Sequence, residues 1–205
     1  KVTGVQTCAL PISLLEEYKA HTAERAELGV PPLVLTAEQT AELVELLKAN
    51  PIVDSEYAIE LFENRIPAGV DDAAYIKAAF LNDIIEGNAT CAEIDAVRAT
   101  FLLGTMLGGF NVAPLVKALS SSDTAVAESA AAQLKNTLLV YDSFNDVKAL
   151  MDEGNALAKE IVESWANAEW FYNKPEMKKE ITLTVYKIPG ETNTDDLSPA
   201  SEAFT

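Results

Sequence analysis

The stretch TAEQTAELVELLK, Thr36 to Lys48, decides the fold class. Thr36 and Gln39 have the spacing of a capping box, in which a hydroxyl at the N-cap and an amide three residues on satisfy the free backbone N–H groups of a helix start. Leu43, Leu46 and Leu47 then share one side of the helix among Glu and Lys, and Pro51 ends the run. The same grammar repeats outward in both directions. Upstream, LLEEYKAHTAERAELG sets Leu14, Leu15, Tyr18 and Leu28 among charges and stops at Gly29 before Pro31-Pro32. Downstream, Tyr57, Ile59, Leu61 and Phe62 mark a shorter helix stopped by Pro67. Asp71 caps the next, with Tyr75, Ile76, Ala79, Phe80 and Ile84 at helical spacing before Gly87. Thr90-Cys-Ala-Glu93 reads as a second capping box, opening a helix with Ile94, Val97, Phe101 and Leu102 that runs to Gly108-Gly109. Asn111 caps a short helix with Leu115 and Leu119, and Asp123 precedes an Ala-rich one with Val126, Leu134 and Leu138. Two more helices follow near 143–152 and 155–171, the second ending in the aromatic group Trp165, Trp170, Phe171 and Tyr172.

Short connections make sequential helices antiparallel. Starts near 36, 71 and 111 are 35 and 40 residues apart, and each step holds two helices, as in helical-hairpin solenoids. The expected fold is therefore all-α, a HEAT-like array of antiparallel helix pairs over 13–177, with an irregular helical bundle as the alternative. Leu43, Leu47, Phe62, Phe80, Leu102, Leu134 and Leu138 are the expected core. The pattern changes after Pro175. Ile181-Thr-Leu-Thr-Val-Tyr186 alternates and is β-branched, a strand signature, and Pro189-Gly190 is a turn. Residues 178–205 thus read as the start of a second domain, incomplete because one strand makes no sheet.

Composition supports this and narrows function. The 205 residues are 49% hydrophobic and only 7% aromatic, which suits Ala- and Leu-rich packed helices. A chain this long buries roughly 70% of its unfolded surface without a disulfide or metal staple. With 15 Lys+Arg against 32 Asp+Glu the net charge is -17. That acidity disfavours nucleic acid, whose binding needs cations to displace condensed counterions, and disfavours an anionic membrane surface. No apolar run approaches the ~18 residues of a membrane span. Two cysteines, Cys8 and Cys91, are too few for a secreted disulfide scaffold, so the expected location is cytoplasmic. Residues 1–12 stand apart, without Asp or Glu and without helical period. Val2 to Ile12 resembles the translation of a synthetic sequencing adapter, and these residues are left out of the fold.

Chemical motifs are sparse. His21, the single histidine, sits on the charged first helix, where a solvated role outweighs catalysis. There is no second histidine for a zinc pair and no Cys-x-x-Cys, so no metal site is expected. Cys91 falls at an expected helix start, a position that can lower a thiol pKa, although a passive small residue is the better account. Gly104, Gly108 and Gly109 fit neither a Walker A loop nor GxGxxG after a strand; helix termination and close packing explain them. The concentrated cluster is Thr192-Asn-Thr-Asp-Asp-Leu-Ser-Pro199. In extended chain Asp195 and Asp196 point opposite ways.

The segments LLEEYKAHTAERA, LLGTMLGGFNVAPLVKAL, SWANAEWFYNKP and GETNTDDLSPA resemble the N-terminal region of the bacterial aconitate hydratase B family, from about Leu14 to Thr205. The resemblance covers roughly the first quarter of such an enzyme. It implies a HEAT-like domain followed by the start of a swivel domain, in a parent that interconverts citrate and isocitrate through cis-aconitate in the tricarboxylic acid cycle. It implies a [4Fe-4S] cofactor whose three cysteine ligands lie far downstream, so the present chain by itself is expected to be inactive. Asn193 to Ser198 is similar to the swivel-domain signature Thr-Thr-Asp-His-Ile-Ser. By that match Asp195 is the active-site carboxylate and Ser198 a polar partner, while Asp196 stands where the wider family has histidine. The implied partners are citrate or isocitrate, the rest of the aconitase chain, and a second copy through the helical domain. The competing expectation from another class is an autonomous HEAT-like protein–protein interaction module.

Overall fold

Residues 13–137, 143–185, 187, 190 and 193 are described by the structure, a computed structural model. Among them the chain forms ten helices: α1 Leu14–Glu27, α2 Ala37–Lys48, α3 Ser55–Asn64, α4 Asp72–Ile85, α5 Ala96–Gly104, α6 Val112–Ala118, α7 Thr124–Leu134, α8 Phe144–Asp152, α9 Ala156–Ala166 and α10 Glu169–Tyr172. Local chemistry sets most starts. Thr36 and Gln39 make both hydrogen bonds of the expected capping box. Ser13, Asp71, Asp95, Asp123 and Asn155 each accept a first-turn backbone N–H through the side chain.

Helices α2, α4, α5, α7 and α9 pack side by side in that order, and α1, α3, α6 and α8 pack against this row. The result is HEAT-like: each neighbour in the row buries the apolar face of the one before. The expected core residues Leu43, Leu47, Phe62, Phe80, Leu102 and Leu134 are all buried, while Leu138 lies outside the described residues. Phe62 and Phe80 meet edge to face at 5.7 Å, joining α3 to α4. Removing a fully buried Leu or Phe from water contributes about 1.5–3 kcal/mol.

Several expectations are corrected. The pairing of helices is interrupted once, between α4 and α5, which follow one another in the chain and also adjoin in the row. Non-helical residues 86–95 stand where another helix would be, inserting Ile94 (1% exposed) into the core. The expected 40-residue step therefore joins helices in different positions, since α6 lies on the row rather than in it. For the same reason Thr90-Cys-Ala-Glu93 is no capping box. Asp95 caps α5 through Arg98 N–H, and Cys91 sits in the connection, half-buried. Starting five residues later turns Val97 and Phe101 partly outward, and Tyr75 is exposed as well. Asn111 precedes α6 without a side-chain cap. The helix expected over 155–171 breaks at Ala168, which is left-handed (φ 53), and Ser164 Oγ bonds the Glu169 carboxylate across the break. The strand expected at 181–187 is not formed by its described residues. Ile181, Leu183 and Val185 are exposed, and no second extended segment among the described residues offers a hydrogen-bonding edge.

Candidate functional site

The most elaborated feature lies where α5 ends. Gly104 closes α5 against α7, because a Cβ there would sit 2.2 Å from Gln133 Oε1. The chain then turns back through Thr105 to Phe110. Asn111, 2% exposed, holds that turn: its side-chain amide donates to the carbonyls of Leu103 (2.9 Å) and Met106 (3.2 Å). Thr105 Oγ1 donates to Leu102 O at 2.7 Å. These bonds satisfy carbonyls that a helix C-terminus leaves open. Gly108 (φ +93) lies on the backbone of Gly69 in the α3–α4 connection, and the Phe110 ring meets Tyr75 of α4 edge to face.

The loop helps to line two clefts. One, of about 320 Å³, is lined by Gly104, Leu107, Gly108, Asn111, Asn136 and Thr137. The other, of about 140 Å³, is lined by Ile66, Pro67, Thr105, Met106 and Leu107, with Glu63 and Lys77 on its wall. Lys77 is only 6% exposed. Its Nζ donates to the Glu63 carbonyl at 3.2 Å and stands 5.2 Å from the Phe62 ring centroid. The nearby Glu63 carboxylate is engaged by Arg98 Nη2 at 2.6 Å. Burial without a carboxylate at ion-pair distance among the described residues pushes the Lys77 amine down to about 8, with Glu63 opposing the shift. Sequence inspection did not single out Lys77. The signal was present: it shares a helical stripe with Ala73, Ala74, Phe80, Leu81 and Ile84, all buried.

The sequence-derived candidates are not gathered here. Asp195, Ser198, Asp196 and Cys8 lie outside the described residues. His21 is half-buried and its Nε2 accepts the Leu33 N–H at 3.0 Å, so it positions the α1–α2 connection together with Tyr18, whose hydroxyl donates to Leu33 O. No group of three or more His, Cys, Asp or Glu among the described residues could hold a metal ion.

Residues 17–171, from α1 into α10, match the aconitate B N-terminal domain. The chain belongs to this family. It is 54% identical to aconitate hydratase B of Pseudomonas aeruginosa and 52% identical to that of Synechocystis, each over 192 residues. Identity to aconitate hydratase B of Escherichia coli is 49% over the same length. These alignments take in 94% of the chain but 22% of each relative, so the chain spans about a fifth of the curated relatives' length.

A [4Fe-4S] cluster is the cofactor expected of the parent enzyme from the resemblance in sequence. Clusters are held by several thiolates, and Cys91 is the one cysteine among the described residues. It lies in the 86–95 connection and no metal-capable group includes it. These residues do not fit a [4Fe-4S] cluster. What this aconitate B domain offers instead is a helical framework with several surface clefts among its described residues, two of them lined by the 105–110 loop.

Proposed function

We propose that the chain is the N-terminal part of a longer aconitate hydratase B that interconverts citrate and isocitrate through cis-aconitate in the cytoplasm, and that it does not turn over substrate by itself. The observation that carries this is about 50% identity over nearly all of the chain to enzymes more than four times as long. Its residues 13–177 are the helical scaffold and 178–205 begin the swivel domain. Asp195 and Ser198 face the substrate from that domain in the complete enzyme, and the cluster is held by residues outside this chain. The helices supply positioning: a row of packed helices is stiff, and catalytic geometry demands stiffness.

The test compares two purified proteins for hydration of cis-aconitate after anaerobic iron–sulfur reconstitution. One is the 205-residue chain; the other continues the reading frame to the length of the relatives. The long protein should show turnover and cluster absorption, and the short one neither. Turnover by the short chain would overturn its scaffold role, and an inactive long protein with an intact cluster would overturn the aconitase assignment.

A further inference from the structure

We propose that Lys77 is a modification site, acylated on Nζ by a short-chain acyl phosphate that enters the cleft beneath the 105–110 loop. This goes beyond the aconitase assignment and does not rest on it. The geometry has three parts. Lys77 lies on the wall of the 140 Å³ cleft, enough for an acetyl group. Its Nζ makes one hydrogen bond, to the Glu63 carbonyl, leaving its remaining donor capacity unused by protein among the described residues. Its wall also carries Ile66, Pro67 and Met106, apolar groups that suit a methyl, beside the polar Thr105 and Glu63.

Reactivity follows from the same surroundings. The charged groups facing the amine are the Glu63 carboxylate of α3 and, paired to it, Arg98 of α5. Burial outweighs Glu63 and brings the amine to about 8. At pH 7.5 about a quarter of Lys77 is then neutral, against about 0.1% of an ordinary lysine. Lys48 and Lys117, both exposed, and the half-buried Lys135 pair with Glu45, Glu86 and Glu160. In the reaction the neutral nitrogen attacks the acyl carbon, a C–N bond forms, and the C–O bond to phosphorus's oxygen breaks. Inorganic phosphate leaves and the amine proton goes to solvent. The product amide is uncharged, so acylation removes a buried charge while its N–H can still donate to the Glu63 carbonyl.

The experiment is a timed exposure of the folded 205-residue chain to acetyl phosphate, with acetylation of each lysine read by peptide mass spectrometry from pH 6.5 to 10. Circular dichroism checks the fold throughout. Lys77 should acetylate at least about fivefold faster than the mean of Lys48, Lys117 and Lys135 at pH 7.5, a fraction of its advantage in neutral amine. Its rate should level off above pH 8.5 while the other three keep rising. A Lys77 rate equal to or below theirs at pH 7.5, or one still rising at pH 10, overturns the proposal.

Discussion

A Cβ added to Gly108 would lie 2.3 Å from the carbonyl carbon of Gly69, joining the α5–α6 and α3–α4 connections backbone to backbone. Neither partner is the end of a flexible side chain, so the contact cannot relax cheaply. Gly108→Ala should cost about 2–4 kcal/mol, from positive-φ strain plus displacement of the backbone. Gly109 is the internal control: its φ is +99 but its Cβ would meet open space. Gly109→Ala should cost only the strain, about 1–2 kcal/mol. Urea unfolding of both variants measures the difference. Equal losses would show that the Gly69 contact carries no stability.

Lys77 makes stability depend on pH. Its amine titrates near 8 in the fold and near its ordinary 10.5 when unfolded. Between those values the unfolded chain binds the extra proton, so stability rises with pH through that window. The gain should be on the order of 2 kcal/mol between pH 7 and pH 10, less than the full shift allows because of partial solvation. Lys77→Met keeps the stem and removes the charge. Its unfolding free energy should be flat across the window relative to wild type, and at pH 7 it should be no less stable. A wild-type curve parallel to that of Lys77→Met would show that the amine is solvated.

Thr40 is fully buried on α2, and its Oγ1 has no hydrogen-bond partner among the described residues. A buried hydroxyl without a partner has lost water for nothing. Thr40→Val keeps the shape and removes the polar atom, so it should raise stability by about 1 kcal/mol. Denaturant midpoints at equal m-values are the measure, and a loss of stability would mean that the hydroxyl is bonded.

The helices were legible because their signals are local. The Thr36–Gln39 box, Asp71 and Asp123 each name a helix start, and the stripes through Leu43, Leu47 and Phe80 name its buried face. The layout between helices was less so. Thr90 and Glu93 have the spacing of a capping box, yet Asp95 wins, because Ile94 is drawn into the core and the connection stays non-helical to reach it. Local pattern cannot weigh that tertiary demand. The strand at 181–185 fails for a related reason: alternation specifies two faces but supplies no partner. Lys77 escaped notice because a charge in an apolar stripe is ordinarily assigned to solvent by snorkelling, and only the packed α3–α4 contact shows the amine enclosed.

The adjacent pair Asp195 and Asp196 separates the aconitase assignment from mere similarity of sequence. In any extended chain neighbouring side chains point in opposite directions, so in that conformation only one of the two would face a substrate cleft. Similarity of Asn193–Ser198 to the aconitase swivel signature selects Asp195. In the full-length enzyme Asp195→Asn should lower kcat on the order of 10²-fold, the scale of acid–base and orienting groups. Asp196→Asn should do far less, and Ser198→Ala should fall between them. Two roles for Asp195 are then separable. A carboxylate that orients a catalytic histidine from another domain acts through kcat and shifts the pH profile, as the acid of a Ser-His-Asp triad does. A carboxylate that accepts a hydrogen bond from substrate in the ground state raises KM as well. Cluster content, read by iron analysis and visible absorption, must match wild type in each variant. Wild-type turnover by Asp195→Asn with its cluster intact would remove Asp195 from the site.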